Sequence, residues 1–598
     1  METLEQKQAI NGGEFLVKET EAHDIFIPEE FSEEQQMMAQ ATQDFIEKEI
    51  FPNVERMDSM EEGFMPSLLD KAGELGLLGV AIPEQYGGLG MNFNTSMLIA
   101  DVIGSAGSFS TAYGAHTGIG TLPILYYGSE EQKEKYLPKL ATGEWKACYC
   151  LTEPDAGSDA NSGKTKAVLS EDGSHYKITG QKMWISNAGF ADLFIVFARI
   201  EDDKNLSAFI VEKSFNGITM NEEEKKLGIK GSSTRQVFFN DTEVPVENML
   251  SERGNGFKIA VNILNIGRIK LGAGVIGGCK HVITDSIQYA NDRKQFGQSI
   301  ANFGAIKAKI ANMATKTFAT ESACYRAGQD IDDRIESLIA DGMDENEAKL
   351  KGVEQFAIEC AMMKVHGSEV LDYCVDEGVQ IYGGMGFSAD APMERAYRDA
   401  RISRIYEGTN EINRMLLVGM TIKRAMKGEL DLMGPAMAVA KELTSVPDFN
   451  GKSHDGAFAK EKELLKNLKK SVLMVAGKAA QDFGLKLNDE QEILMSIADM
   501  IIEIYAVEST ILRAEKLIGL WGEEATRQQI NMAKLYLYEA VEKISASGKE
   551  AIISFAKGDE QKVMLMGLKR FTKMDPYNVK ELRREIANHL IEKNKYDF

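Results

Sequence analysis

The sequence predicts a mostly helical α+β protein. One helical domain precedes a compact antiparallel β domain, a second follows it, and a further helical domain ends the chain. Two changes of hydrophobic period carry this prediction. Helical spacing gives way near Trp145 to short β-branched and aromatic runs separated by turn residues, and it returns from Gly256. The third observation is a glycine-rich stretch with Pro435 and Pro447, which is typical of a linker.

The first elements are an arm and a helical domain. Residues 1–30 are polar and predict a loose N-terminal arm. In the helical domain, residues 31–145, Ser32 stands three residues before Gln35 and just ahead of an apolar run. That spacing indicates a capping box, in which the two side chains satisfy the first backbone amides of a helix.

The later boundaries follow from the same patterns. Ile493, Ile497 and Met500 alternate spacings of four and three, which indicates the buried seam of a helical bundle rather than a cofactor motif. The predicted segments are a β domain over 146–252, a helical bundle over 253–427, a linker over 428–456 and a helical domain over 457–598.

Composition excludes several classes of function. The formal charge is −23 with no basic stripe, so nucleic acid is not an expected partner. The six cysteines form no C-x-x-C pair, and the seven histidines show no metal-ligand spacing. The N-terminus resembles neither a signal nor a transit peptide, and no stretch looks apolar enough to span a bilayer. We therefore expect a cytoplasmic protein, with peripheral contact at the inner face of the membrane as an alternative.

The run Gly272-Ala-Gly274-Val-Ile-Gly277 matches the dinucleotide-binding pattern G-x-G-x-x-G. That pattern needs a strand before it, and the preceding residues read as helix. The sequence therefore predicts close packing between helices at these glycines.

Glu407 stands out among the 91 acidic residues because of its neighbours. Gly408 lets the backbone approach a ligand closely. The apolar residues before Glu407 would desolvate its carboxylate, and desolvation raises a carboxyl pKa and makes it a better base. The residues alone thus indicate a general base beside a ligand-binding loop.

Four separated motifs resemble the acyl-CoA dehydrogenase family in their order along the chain. They are Tyr149-Cys-Leu-Thr-Glu-Pro-Asp-Ala-Gly-Ser158, Lys182-Met-Trp184-Ile-Ser186, Arg293-Lys-Gln-Phe296-Gly, and the run from Gln380 through Tyr406-Glu407-Gly408-Thr409. The resemblance covers roughly residues 30–425. It is nearest to the very-long-chain branch, because about 170 residues follow, and it implies a β-barrel-like middle domain. The N-terminus, which resembles no transit peptide, favours a bacterial protein.

The resemblance implies FAD as cofactor and Glu407 as the base that removes the α proton of an acyl-CoA. The FAD contacts that it implies are Tyr149, Leu151, Thr152, Ser158, Trp184, Ile185, Ser186, Arg293, Phe296, Gln380, Gly383, Gly384, Thr409 and Glu411. The substrate contacts that it implies are Ser158, Asn265, Arg268, Tyr406 and Gly408.

Ordinary structural roles remain open for these residues. Thr152 and Ser158 would also serve as loop-capping hydroxyls, Trp184 as a core aromatic, and Arg293 as a solvated charge at a helix end. Arg268 would also suit a structural ion pair. Two departures limit the resemblance: Gly304 replaces a glutamine of the family, and Asn265 stands where some members have an acid.

The resemblance further implies an electron-transferring flavoprotein as acceptor and a homodimer. An acyl-CoA oxidase and a dehydrogenase-like assembly scaffold remain alternatives. Gly118 and Gly120 lie on a helix expected at the cavity. These glycines favour either a longer acyl tunnel or a structural role, which would be a helix kink or close packing.

Overall fold

A computed structural model describes residues 10–443 and 456–598. The N-terminal helical domain is built around a core that includes Leu68, Ile99 and Phe109. The capping box is confirmed: the Ser32 hydroxyl accepts from the Gln35 amide at 3.2 Å, and the Ser32 amide donates to the Gln35 side chain at 2.9 Å. Its helices are α1 (Glu33–Phe45), α2 (Val54–Asp58), α3 (Phe64–Glu74), α4 (Phe93–Ile103), α5 (Ser108–Gly114), α6 (Leu122–Tyr127) and α7 (Glu130–Thr142).

The middle domain is one twisted sheet with strand order β6-β7-β3-β2-β4-β5-β8, and β1 pairs with β4. Most neighbours are antiparallel, as predicted, but β1 and β2 each run parallel to β4. The strands are β1 (Ala147–Cys150), β2 (Lys166–Leu169), β3 (His175–Ser186), β4 (Leu193–Ile200), β5 (Ser207–Glu212), β6 (Ile218–Met220), β7 (Thr234–Pro245) and β8 (Met249–Leu250).

The third domain is a helical bundle in which α8 packs along α11 and α4. A hairpin of β9 (Lys294–Gln295) and β10 (Gln298–Ser299) follows α8. The helices are α8 (Gly256–Asp292), α9 (Gly304–Ala340), α10 (Glu345–Gln355), α11 (Ala357–Tyr382), α12 (Pro392–Ala400) and α13 (Asn410–Met426).

The glycines of the G-x-G-x-x-G pattern lie inside α8. A Cβ on Gly272 would stand 3.0 Å from Met363 of α11, and one on Gly277 would stand 1.9 Å from the Asp101 carbonyl of α4. Only glycine allows helices this close. The prediction of close packing between helices is confirmed.

The expectation that no stretch is apolar enough to span a bilayer is wrong for α8. Helix Gly256–Asp292 is long and apolar enough to cross a membrane, judged by length and composition alone. However, 67% of its most apolar stretch is buried inside the protein. Its apolar character comes from contacts on several sides within the bundle, because a helix surrounded by other elements needs no polar face.

The C-terminal domain is helical, and its long helix α16 packs against α9 and α13 of the bundle. Part of the predicted linker is a helix, α14, and residues 444–455 of that linker lie outside the described residues. The helices are α14 (Met433–Leu443), α15 (Ala459–Phe483), α16 (Gln491–Trp521), α17 (Arg527–Phe555), α18 (Gly558–Phe571) and α19 (Val579–Lys593).

The prediction of a loose arm is wrong for residues 10–30. Phe15 and Ile27 are buried, and the Phe15 ring meets Tyr505 of α16 with centroids 4.8 Å apart. Glu29 forms an ion pair of 2.7 Å with Arg513 of the same helix. A few apolar residues spaced among polar ones were enough to anchor the arm, because the groove they fill is formed by residues hundreds of positions away.

Candidate active site

Glu407 lies in the turn that leads into α13. Thr409 caps that helix, its hydroxyl accepting from the Ile412 amide at 3.3 Å. Glu407 has a φ of +58°, which is uncommon for a residue with a side chain, and Gly408 has +84°. The turn directs the carboxylate at α8, where a Cβ on Gly267 would stand 2.7 Å from Glu407 Oε2. Glycine at 267 therefore makes room for the carboxylate.

The Glu407 carboxylate has few partners. Its Oε2 is buried without a hydrogen bond among the described residues. Burial raises the pKa of Glu407 to about 7, while the positive charges of Arg268 and Lys364 pull it down. The residue as a whole is half-buried and lines a cavity. A carboxylate with this pKa is suited to accept a proton near neutral pH.

Arg268 and Asn265 of α8 hold the turn from one side. Arg268 Nε donates to the Glu407 carbonyl at 3.2 Å, and Arg268 Nη1 donates to Asn265 Oδ1 at 2.7 Å. Asn413 Nδ2 donates to the Gly408 carbonyl at 2.8 Å from the other side. The predicted residues Asn265 and Arg268 thus lie beside the base, where they fix its backbone.

Lys364 of α11 is a site residue that the sequence analysis missed. It is fully buried, and its Nζ donates to Asn410 Oδ1 at 2.7 Å, at the start of α13. Burial lowers the pKa of Lys364 to about 7, although the Glu407 charge opposes that shift. The available signal was a lone lysine within the apolar run Ala-Met-Met-Lys364-Val of α11.

A cavity of about 320 Å³ opens beside Glu407 and runs along α8. Tyr406, Glu407 and Ser186 belong to its lining. The two glycines that were expected at the cavity have different surroundings. Gly118 lines the cavity, and a Cβ there would meet nothing within 4 Å, whereas a Cβ on Gly120 would stand 2.7 Å from Ala147. Gly118 therefore widens the cavity, and Gly120 serves close packing.

The first two motifs meet at the ends of β1 and β3. The Met183 amide donates to the Thr152 carbonyl at 2.8 Å, and the register of β3 shifts between Lys182 and Ile185. Trp184 lies in that irregularity with φ +60° and is 53% exposed, so it is not a core aromatic. An exposed indole, with a neighbouring loop that bears hydroxyls, fits an aromatic ring system laid across the strand end.

The other residues of these motifs differ in how far they are buried. Leu151 and Ile185 are buried, so their main chains remain to contact a ligand. The Tyr149 hydroxyl is buried without a partner among the described residues. Ser158 is exposed, and Ser186, two residues after Trp184, lines the cavity.

The remaining predicted cofactor residues lie far from Glu407. Stacking of Tyr289 on Tyr382, with centroids 4.0 Å apart, brings together the C-terminal ends of α8 and α11. From Gly267 to Asp292 the rise along α8 is about 38 Å. The exposed residues at this end are Arg293, Phe296, Gln380, Gly383 and Gly384. This structure does not bring them to the cavity of their own chain.

Comparison with known families matches four successive parts of the chain. The descriptions are acyl-CoA dehydrogenase N-terminal domain over 32–144, middle domain over 148–242, and C-terminal domain over 254–420 and again over 467–570. A probable acyl-CoA dehydrogenase of Bacillus subtilis is 47% identical, across 98% of both chains.

The chain belongs to the acyl-CoA dehydrogenase family.

Two further relatives match over the same architecture. A crystal structure of an acyl-CoA dehydrogenase from Bacillus anthracis, complexed with FAD, has a TM-score of 0.95 at 48% identity and covers 99% of this chain and 100% of its own. The very long-chain specific acyl-CoA dehydrogenase of Rattus norvegicus is 36% identical over 77% of this chain and 74% of its own. The protein is thus an FAD-dependent acyl-CoA dehydrogenase, as the motifs predicted.

Proposed function

We propose that this enzyme oxidises long-chain acyl-CoA thioesters to trans-2-enoyl-CoA, with Glu407 removing the α proton. The observation that carries the proposal is the Glu407 carboxylate, which lines the cavity with one buried oxygen left unpartnered. A base must reach its proton directly, and an oxygen already occupied by donors is a poorer base.

The same turn supplies more than the base. Removing an α proton requires donors that stabilise the enolate-like charge on the thioester oxygen. The Glu407 amide is the donor implied by the family resemblance, and the hydrogen bonds from Arg268 and Asn413 to the carbonyls of this turn hold its peptides in place. When bound, FAD supplies the acceptor for the hydride that leaves Cβ.

The length of the cavity supports a long acyl chain. Its lining includes residues of α8 from Ile263 to Asp285, and Glu407 meets α8 at Gly267, close to one end of that run. From Gly267 to Asp285 the rise is about 27 Å, which exceeds an extended palmitoyl chain. Gly114 and Gly118 keep the opposite wall open.

We assign the flavin ring to the exposed face of Trp184 and the strand end beside it. Thr152, Ser158 and Ser186 supply hydroxyls there, and the main chains of Tyr149, Leu151 and Ile185 complete the wall. Thr409 and Glu411 start α13 next to the base and are assigned to the same cofactor. Tyr406 and Gly408 are assigned to the substrate.

The exposed residues at the far ends of α8 and α11 support a homodimer. About 38 Å along α8 separates them from the base of their own chain. Flavin contacts from Arg293, Phe296, Gln380, Gly383 and Gly384 therefore require a second subunit. Size determination of the FAD-loaded protein, with Arg293→Ala tested for loss of flavin, checks this part of the proposal.

Electron-transferring flavoprotein is the acceptor that the family favours. Contact of a cytoplasmic enzyme with the membrane is supported by α14, where Met433 is 60% and Met437 66% exposed. Co-sedimentation with anionic liposomes, comparing the protein with a Met433→Ser, Met437→Ser variant, tests that contact. Equal sedimentation of the two proteins would remove it.

The main test is anaerobic. Palmitoyl-CoA is added to the FAD-loaded protein, the oxidised flavin absorbance is followed, and air is then admitted. We expect bleaching that persists in air until electron-transferring flavoprotein is added. Rapid recovery with peroxide would identify an oxidase, and absence of bleaching would contradict the proposal in favour of a scaffold.

A further inference from the structure

Arg414 joins helices of two domains at one buried point. It lies on α13, is 7% exposed, and pairs with both carboxylate oxygens of Glu369 on α11, through Nη1 at 2.8 Å and Nη2 at 2.9 Å. Its Nε and Nη2 also donate to Asp499 Oδ1 of α16, at 3.0 and 2.9 Å. A guanidinium bound by two carboxylates in this fork geometry has its direction fixed. The C-terminal domain thus holds α13 through Asp499.

Hydrogen bonds between side chains continue from Arg414 to Lys364. Glu369 Oε1, which pairs with Arg414, accepts from Asn410 Nδ2 at 3.2 Å. Asn410 Oδ1 in turn accepts from Lys364 Nζ at 2.7 Å. Asn410 is 3% exposed and Lys364 is fully buried, so these bonds are made away from bulk water. Every link from Asp499 to the Lys364 ammonium is therefore a direct contact.

The first turn of α13 also holds the backbone beside the base. Asn413 is fully buried, and its Nδ2 donates to the Gly408 carbonyl at 2.8 Å and to the Thr409 carbonyl at 3.1 Å. Asn413 directly precedes Arg414 in the chain. A shift of Arg414 would therefore move the donor that holds the turn of Glu407.

Asp499 makes a contact with Arg414 that Glu369 does not duplicate. Arg414 Nε donates to Asp499 alone among the residues that the structure describes. The Asp499 side chain is 24% exposed, and Lys543 Nζ of α17 stands 3.8 Å from it. A buried cation that loses one of its partners is costly, so Arg414 would shift if Asp499 were removed.

Asp499 has no direct electrostatic influence on the base. The titratable groups that act on Glu407 or are acted on by it are Arg268 of α8, Lys364 of α11, Tyr149 of β1 and Tyr406. The Lys364 ammonium is itself acted on by Glu369 and Glu411. Since Asp499 is in neither set, its effect on the base has to pass through Arg414.

We propose that Asp499 of the C-terminal domain is a positioning residue for the base, because it holds Arg414 and thereby the Glu407 turn and the Lys364 ammonium. The C-terminal domain then takes part in catalysis instead of only covering the bundle. The inference rests on the proposed function, since it takes Glu407 as the base.

The direction of the expected change separates positioning from a simple charge effect. Without Asp499, the Lys364 ammonium is held less firmly near Glu407, so the base should need a higher pH to ionise. Loss of the Asp499 charge alone would act in the opposite direction, because a nearby anion disfavours ionisation of a carboxyl group.

Hydrogen exchange of the FAD-loaded Asp499→Asn protein is the first measurement. The control is Asp482→Asn, because Asp482 pairs with Lys478 within α15 at 2.7 Å. The amides of Ile412 and Asn413 are hydrogen-bonded at the start of α13. We expect them to exchange at least about threefold faster in Asp499→Asn and at the parent rate in the control. Exchange needs no substrate, so this measurement does not depend on the proposed function.

The second measurement is the acid limb of kcat/KM with palmitoyl-CoA. Asp499→Asn should move the limb to higher pH by about half a unit, which is about a threefold loss of rate on that limb. The same substitution in a Lys364→Met background should move the limb no further. Asp499→Glu, which keeps the charge, should recover most of the parent rate.

Several results would overturn the positioning role. They are unchanged exchange at the start of α13, a limb that moves to lower pH or not at all, and a full shift that persists in the Lys364→Met background. Failure of the proposed function looks different, because the parent enzyme itself would then show no bleaching with palmitoyl-CoA.

Discussion

Glu407 and Glu503 are two glutamates whose pKa values move in opposite directions. Burial raises the pKa of Glu407 to about 7. Burial also acts on Glu503 of α16, yet Lys543, His366 and Tyr536 outweigh it and lower its pKa to about 2. The difference lies in the donors: Lys543 Nζ stands 2.9 Å and the Tyr536 hydroxyl 2.8 Å from the Glu503 carboxylate.

The comparison shows what separates a base from a structural carboxylate in the same fold. Both carboxylates are desolvated, so burial alone does not decide the role. Glu503 joins α16 to α17 because its oxygens are used, whereas Glu407 keeps an oxygen free by placing its cations on the turn backbone and on Asn410. What marks the site is a carboxylate that keeps an oxygen without donors and also lines the cavity.

The largest expected effect is on turnover. Glu407→Gln keeps the shape of the side chain and removes the basic oxygen, so kcat with palmitoyl-CoA should fall by about 10²–10⁴-fold. Flavin content should not change. Glu429→Gln, at an exposed position, is the matched control and should retain full activity. Near-normal turnover of Glu407→Gln would remove it as the base.

The same substitution should stabilise the protein at high pH. The folded-state pKa of Glu407 lies above its usual 4.5, so ionising it in the fold costs free energy above that pH. Glu407→Gln should therefore raise the free energy of unfolding by about 1–3 kcal/mol at pH 8 and change it little at pH 4. Denaturant titrations at both pH values measure this, and equal stability at pH 8 would contradict the raised pKa.

Removing Lys543 should leave Glu503 as a buried carboxylate without its nearest cation, so its pKa should rise as that of Glu407 does. We expect Lys543→Met to lower the free energy of unfolding by about 2 kcal/mol at pH 7, less than for a wholly buried pair because Lys543 is 41% exposed. The folded pKa of Glu503 lies below 4.5, so its contribution is present above that pH and disappears as the pH falls towards 2. The two proteins should converge in that acid range.

The control for Lys543→Met is Lys562→Met. Lys562 pairs with Asp559 on the surface of α18. Exposed pairs contribute little, so this variant should stay within about 0.5 kcal/mol of the parent. Equal losses for both variants would show that the buried position of Glu503 has no special effect.

The smallest expected effect is on the pH dependence of catalysis, through the pKa of Glu407. Lys364 lowers the pKa of Glu407 through its charge. Lys364→Met should therefore move the acid limb of kcat/KM to higher pH by about half a unit to one unit, since the base must be ionised to act. Lys423→Met, an exposed lysine of α13, should leave the limb in place. A loss of activity without any shift of the limb would assign Lys364 a merely structural role.

Local patterns predicted the order of elements and the turn that carries Glu407. Period changes placed the β domain, the capping box began α1, and the glycines of α8 were identified as packing positions. The sequence did not place Lys364 in the site, although a lone lysine within an apolar run was a local signal. Its position beside the Glu407 turn depends on the packing of α11 against α13, which is a tertiary property. The arm was misread for the same reason.

The arm gives the chain a particular order of assembly during synthesis. Phe15 leaves the ribosome early, but its partner ring Tyr505 is made 490 residues later. At about 5–20 residues per second, that interval is on the order of 25–100 s. The Phe15 ring lacks this partner throughout that time. A nascent chain released before α16 therefore lacks part of the surface that covers its own beginning, and truncated products should be recognised by chaperones that bind short apolar segments.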